Sequence, residues 1–256
     1  MIDFGMQTAT GTRHKVNEDS LGHKARLWLV ADGMGGHAAG NVASQIVRDT
    51  LLAKSHPGIP LAKTVRAAHD AVMKAAQDNK HNKGMGSTVA AVRVAGDEAE
   101  VTWVGDSRVY LLREGELSRV TTDHSYVQYL LARGDITAEE AETHPERNVL
   151  IRTLGFEEPE ADVVSVELEP GDQLLIATDG VTTVVSDDHI ARLLLDAGTP
   201  QAAADALINA VIEQKGNDDA SAIVLRYKER SAAVPVILGV TAGVLAFLLL
   251  MWMKSS

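Results

Sequence analysis

Cysteine is absent from the 256 residues, which excludes disulfides and thiolate metal sites and fits a reducing compartment. Positive charge is scarce. Lys and Arg number 24 against 35 Asp and Glu, a formal net charge of −11, so a nucleic-acid partner, which needs a basic face, is excluded. The opening stretch Met1-Ile2-Asp3-Phe4-Gly5 has neither a basic nor an apolar region, so no secretory signal is visible. No long Pro/Gly/Ser linker and no internal repeat interrupts residues 1–227, which read as one domain. A hydrophobic content of 45% suffices for one sizeable core or two small ones.

What the chain does have is three apolar runs that each end in aspartate. Leu27-Trp28-Leu29-Val30-Ala31 meets Asp32-Gly33, Val101-Thr102-Trp103-Val104-Gly105 meets Asp106, and Leu174-Leu175-Ile176-Ala177-Thr178 meets Asp179-Gly180. Each run has the length and β-branched content of a buried strand. A single Asp-Gly is better explained as a turn. Three carboxylates at strand tips, joined by Asn17-Glu18-Asp19 and Asn217-Asp218-Asp219, point instead to a site for a hard cation such as Mg²⁺ or Mn²⁺.

The C-terminal region differs in kind. No charged residue occurs from Ser231 through Met253. About 22 residues at about 1.5 Å each span roughly 33 Å, enough for a bilayer core. The expected organisation is a domain at 1–227, a link at 228–231, a transmembrane helix at 232–253 and a tail at 254–256. Arg226, Lys228 and Arg230 precede the span and Lys254 follows it, which places the domain on the cytoplasmic side. Gly239 and Gly243 form a Gly-x-x-x-Gly pattern that could pair two such helices.

Within 1–227 the spacing predicts helices over 41–52, 61–79, 125–133, 186–195 and 199–215, the last opened by Thr199-Pro200. Strands are expected at 87–95, 99–104, 108–112, 163–168, 173–177 and 221–227, with a first strand around Phe4, Met6 and Thr8. Tight turns at Gly96-Asp97-Glu98, Arg113-Glu114-Gly115 and Glu169-Pro170-Gly171-Asp172 make neighbouring strands antiparallel, an α+β layered domain.

The motifs occur in a telling order: Arg13 and Asn17-Glu18-Asp19; Asp32-Gly33-Met34-Gly35-Gly36-His37; Gly86-Ser87-Thr88; Gly105-Asp106-Ser107-Arg108; Thr122-Asp123-His124-Ser125; Asp179-Gly180; Asn217-Asp218-Asp219. The series closely resembles the bacterial branch of the metal-dependent PPM (PP2C-type) serine/threonine protein phosphatases over residues 1 to about 227. The resemblance implies a four-layer αββα fold, two antiparallel β-sheets forming a sandwich flanked by helix pairs. It implies two Mn²⁺ or Mg²⁺ ions bridged by Asp32, one completed by Glu18 and the Gly33 carbonyl, the other by Asp179 and Asp219. A hydroxide between the ions would attack phosphorus in line, with Arg13 clamping the phosphate. Bacterial relatives often hold a third ion on the aspartate that is Asp106 here, although a turn role serves that residue equally well. The segment 125–155 matches the family's flap.

Three departures stand out. Arg13 lies four residues before Asn17 rather than three, so that His14 occupies the usual place and His14 or Lys15 could share the role. Met34 stands where eukaryotic members have histidine. The closing motif, usually Asp-Asn, is read as Asp219-Ala220, with Asp218 as the competing ligand. The expected function is dephosphorylation of phosphoserine and phosphothreonine proteins at the cytoplasmic membrane, the substrates of a Ser/Thr kinase. The alternatives are a pseudophosphatase binding module and a phosphatase for small phosphomonoesters.

Overall fold

The computed structural model describes residues 1–35, 39–156 and 159–228. The chain opens with β1 (Ile2–Ala9), β2 (Asp19–Lys24) and β3 (Leu27–Met34), then α1 (Ala39–Lys54) and α2 (Leu61–Asp78). A β-rich stretch follows: β4 (Gly86–Ser87), β5 (Val89–Ala95), β6 (Glu98–Val104), β7 (Arg108–Arg113) and β8 (Glu116–Arg119). Two short helices, α3 (Tyr126–Arg133) and α4 (Ala138–Thr143), lead to β9 (Asp162–Glu167) and β10 (Gln173–Ala177). The domain closes with α5 (Asp179–Thr182), α6 (Asp187–Asp196), α7 (Pro200–Glu213) and β11 (Ala220–Tyr227).

Two antiparallel sheets result, ordered β1-β11-β10-β7-β8 and β2-β3-β5-β6-β9, with β4 paired to β3. Strand alternation sorts the apolar side chains into three layers. Trp28, Val30, Val92, Val101, Ile176 and Ile223 fill the space between the sheets. Leu29, Ala31 and Ala91 face outward onto Val47 and Leu51 of α1 and Val65 and Val72 of α2. Leu175 and Val224 face outward onto Ile190 and Leu194 of α6 and Leu207 and Val211 of α7. The central strands read as continuous apolar runs because both their faces are covered. This is the layered α+β sandwich with flanking helix pairs that the sequence predicts.

The topology fixes where strand ends meet. Strands β3 and β6 are each antiparallel to β5 between them, so they run the same way and finish at one end of their sheet. Asp19 at the start of β2 is in register with Asp32 near the end of β3. In the other sheet, β11 starts where β10 ends, with Ala222 opposite Ala177.

Some local expectations needed correction. The strand expected over 87–95 is broken at Thr88, whose N–H bonds the Asp32 carbonyl at 2.8 Å and whose hydroxyl accepts the Asp32 N–H at 3.1 Å. Helix α4, within the 125–155 segment, is not among the predicted helices. Thr137 and Glu140 form a capping box that starts it. Thr199 opens α7 as expected, Ser125 caps α3, and Ser186 makes no side-chain cap at α6. The expected membrane span at 232–253 and His37 lie outside the described residues. No helix among the described residues is long and apolar enough to cross a membrane.

Candidate metal centre

A cavity of about 750 Å³ opens where the strand ends meet, and Glu18, Asp32, Asp106, Asp179 and Asp218 line it. The three strand-tip aspartates identified in the sequence therefore do converge. Their carboxylates face the cavity and keep some access to solvent, yet each is set deep among protein atoms. Burial pushes Asp32 well above the usual carboxylate range, helped by the charges of Asp19, Asp179 and Asp106. Asp106 is pushed up to about 8 by burial and then by Asp179. Asp179 is pushed up to about 6 by burial and then by Asp218. Glu18 is raised chiefly by burial.

Backbone and hydroxyl groups lock these tips together. The Thr88 hydroxyl that accepts the Asp32 N–H shares a 2.7 Å hydrogen bond with Ser107, beside Asp106. Gly105 has φ 105°, and an added Cβ would lie 2.6 Å from Thr88 Cγ2, so glycine is required there. Glu18 O accepts the Gly33 N–H at 3.1 Å. A Cβ on Gly40 of α1 would lie 2.5 Å from Glu18 Oε2 and 2.6 Å from the Gly33 carbonyl oxygen, so these two oxygens are neighbours packed against bare helix backbone.

Asp19 has no assigned role in the sequence, yet it lies beside the site, in register with Asp32 and off the cavity wall. Its Oδ2 accepts from the Thr178 hydroxyl at 2.8 Å, while Oδ1 is buried with no hydrogen-bond partner. Burial raises this carboxyl to about 7. A buried acceptor without a donor is costly unless something outside the protein supplies one. Its place in the acidic Asn17-Glu18-Asp19 cluster and its register opposite Asp32 were the available signals.

Two sequence assignments are corrected. Asp219 does not face the cavity. Its Oδ1 accepts the Gly11 N–H at 2.8 Å, and its Oδ2 accepts the Glu18 N–H at 2.7 Å and lies 2.9 Å from His14 Nδ1. With both oxygens engaged and the side chain 3% exposed, it ties the 11–18 loop to the start of β11. Asp218 is the carboxylate on the cavity wall. Arg13 is 60% exposed and is not on that wall, with Nη1 3.7 Å from Asp218. His14 takes its place there, held by Asp219. Burial works against a charged His14 ring, but the bond to Asp219 outweighs it and the pKa is raised. Arg152, unmarked in the sequence reading, also lines the cavity.

Among the described residues, no three His, Asp or Glu side chains stand close enough to enclose one ion as they are. The chemistry of the donor set nonetheless suits divalent cations. It offers five carboxylates and the Gly33 carbonyl, oxygen donors with mutual repulsion for a hard cation to relieve.

A family profile described as Protein phosphatase 2C matches residues 7–214. The serine/threonine protein phosphatase PstP of Mycobacterium tuberculosis is 38% identical over 253 residues, 95% of this chain and 49% of the relative. The chain thus spans about half the length of the mycobacterial relatives it matches. The serine/threonine phosphatase stp of Listeria innocua is 33% identical over 235 residues, 86% of this chain and 93% of the relative. A crystal structure of the M. tuberculosis PstP phosphatase superposes with TM-score 0.84 at 36% identity, covering 89% of this chain and 99% of that one. The catalytic domain of PstP in complex with two manganese ions gives TM-score 0.81 at 34% identity, with 89% and 99% covered.

Proposed function

The chain belongs to the protein phosphatase 2C family, and on that premise we propose that it is a metal-dependent protein phosphatase acting on phosphoserine and phosphothreonine. The observation that carries this reading is the gathering of Glu18, Asp32, Asp106, Asp179 and Asp218 around one cavity.

Asp32, Glu18 and the Gly33 carbonyl would hold one Mn²⁺ or Mg²⁺ ion, and Asp32, Asp179 and Asp218 the other. Asp106 would be the donor for a third. Bound there, the ions supply a water deprotonated near neutral pH and neutralise phosphoryl charge. The chain's own residues do the rest. Asp19 Oδ2, which accepts from the Thr178 hydroxyl, ties the start of β2 to the residue before Asp179 and so fixes that carboxylate's place. Thr88 and Ser107 hold the Asp32 and Asp106 tips at a fixed separation, which preserves alignment through the reaction. Asn148, Leu150, Ile151, Arg152, Thr153 and Phe156 supply another part of the cavity wall, from the segment between α4 and β9.

The uncharged stretch 232–253, preceded by Arg226, Lys228 and Arg230, supports a membrane tether with the domain on the cytoplasmic side. Extraction of the full chain into the soluble fraction without detergent would refute it.

The test of the activity is turnover of a phosphothreonine peptide by purified protein with and without Mn²⁺. Mn²⁺-dependent release of phosphate is expected. Release from small phosphomonoesters alone would reassign the substrate, and no release at any Mn²⁺ concentration would make this a binding module.

A further inference from the structure

On the phosphatase reading, we infer that Arg152 is the guanidinium that receives the substrate's phosphate. Five carboxylates line the cavity, and Arg152 is the one Lys or Arg on its described wall. A phosphate monoester carries close to two negative charges at neutral pH. A guanidinium facing that cavity offsets the repulsion on entry and presents a planar fork matched to phosphate oxygens.

The side chain is built to do this. Arg152 Nη1 donates to Asp162 Oδ1 at 3.1 Å. Its Nε and Nη2 donate to no acceptor among the described residues, and the side chain is 38% exposed. Asp162, at the start of β9, is steadied from behind by His124. The Gly105 N–H points at His124 Nδ1 at 3.1 Å, which assigns the ring proton to Nε2, 3.4 Å from Asp162 Oδ2. The ring stacks on Trp103, and the His124 carbonyl accepts the Ile151 N–H at 2.8 Å, fixing the backbone next to Arg152. One edge of the guanidinium is therefore anchored and the other is open. Asp162 and His124 are positioning residues. Because His124 also bonds Gly105 in both directions, the anchor is continuous with the loop that carries Asp106.

The experiment compares Mn²⁺-loaded wild type with Arg152→Ala, Arg152→Lys and Asp162→Asn. It measures KM and kcat for p-nitrophenyl phosphate and for phosphothreonine peptides with neutral and with acidic flanks. It also measures inorganic phosphate binding by calorimetry, and melting temperature. Arg152→Ala should raise KM about tenfold or more for every substrate and weaken phosphate binding by a similar factor, with kcat less affected. Arg152→Lys should recover part of the loss, since it keeps charge without the fork, and Asp162→Asn should raise KM less than Arg152→Ala. Should Arg152→Ala fail to fold, Arg152→Gln, which can still bond Asp162, carries the same comparison. Unchanged KM and phosphate binding would overturn the inference, as would a loss confined to acidic-flank peptides, which would place a peptide carboxylate there instead. Wild type without turnover would remove the phosphatase reading. The calorimetric arm would still decide Arg152: phosphate binding lost in the variant supports it, and equal or absent binding in wild type overturns it.

Discussion

His14 Nδ1 lies 2.9 Å from Asp219 Oδ2, and that same oxygen accepts the Glu18 N–H at 2.7 Å. The pair takes up the carboxylate that sequence order offers as a metal ligand and leaves Asp218 facing the cavity. Read as Asp218-Asp219, the closing motif keeps its first carboxylate on the cavity and places a second where the family pattern has Asn. Asp218→Asn should abolish Mn²⁺-dependent turnover at an unchanged melting temperature. Asp219→Ala should instead destabilise the fold, by about 1–3 kcal/mol for each buried N–H left unpaired at Gly11 and Glu18. Turnover curves and thermal melts of the two variants separate the roles, and equal loss of activity without a change in melting would contradict them.

The acidic cluster makes the metal-free protein sensitive to pH. An unfolded aspartate titrates near 3.8, whereas Asp179, Asp19 and Asp106 titrate at about 6, 7 and 8 in the native chain. Between those values the native state holds protons that the unfolded state has lost, so stability falls as pH rises. Their contribution is full below about pH 4 and gone above about pH 8. Cations that bind the ionised carboxylates displace those protons. The rise in melting temperature on adding Mn²⁺ to chelator-treated protein should therefore grow from about pH 5 to about pH 8. A rise that is flat or shrinks over that range would count against the cluster as the metal site.

Gly40 tests the geometry from outside the cavity. An added Cβ meets Glu18 Oε2 and the Gly33 carbonyl, one a movable side chain and the other backbone. Gly40→Ala should lower the melting temperature, since the Gly33 backbone carbonyl 2.6 Å away must shift and the helix preference of alanine returns only up to about 1 kcal/mol. The Mn²⁺ concentration for half-maximal activity should rise about tenfold or more as the two oxygens are pushed apart. Wild-type Mn²⁺ dependence in this variant would mean that these oxygens do not share an ion.

Arg108 belongs to the Gly-Asp-Ser-Arg motif but acts in the framework. Its Nε and Nη2 bond Asp123 at 3.0 and 2.7 Å, with the two side chains 21% and 10% exposed. Asp123→Ala would strand a mostly buried guanidinium and should cost about 3 kcal/mol, a drop of roughly 6–12 °C in melting temperature. Denaturant melts would measure it, and a change below about 1 kcal/mol would show the pair to be dispensable.

Much of this architecture was legible along the chain. Apolar runs such as 27–31 and 174–177 specify buried strands because both faces of each must be covered. Asp32, Asp106 and Asp179 mark their ends because a charge cannot continue into the core. The start of α7 at Thr199-Pro200 follows from local hydrogen bonding, which depends on neighbours within a few residues. Tertiary structure alone decided which of two adjacent aspartates, 218 or 219, faces the cavity. Consecutive side chains at a strand entry point to opposite sides, and only the partners Gly11, Glu18 and His14, some 200 positions away, determine which side is which. The same holds for Asp19 and Arg152. Their roles rest on register across β2 and β3 and on the packing of Asp162 against His124, contacts between segments whose spacing in sequence carries no trace of them.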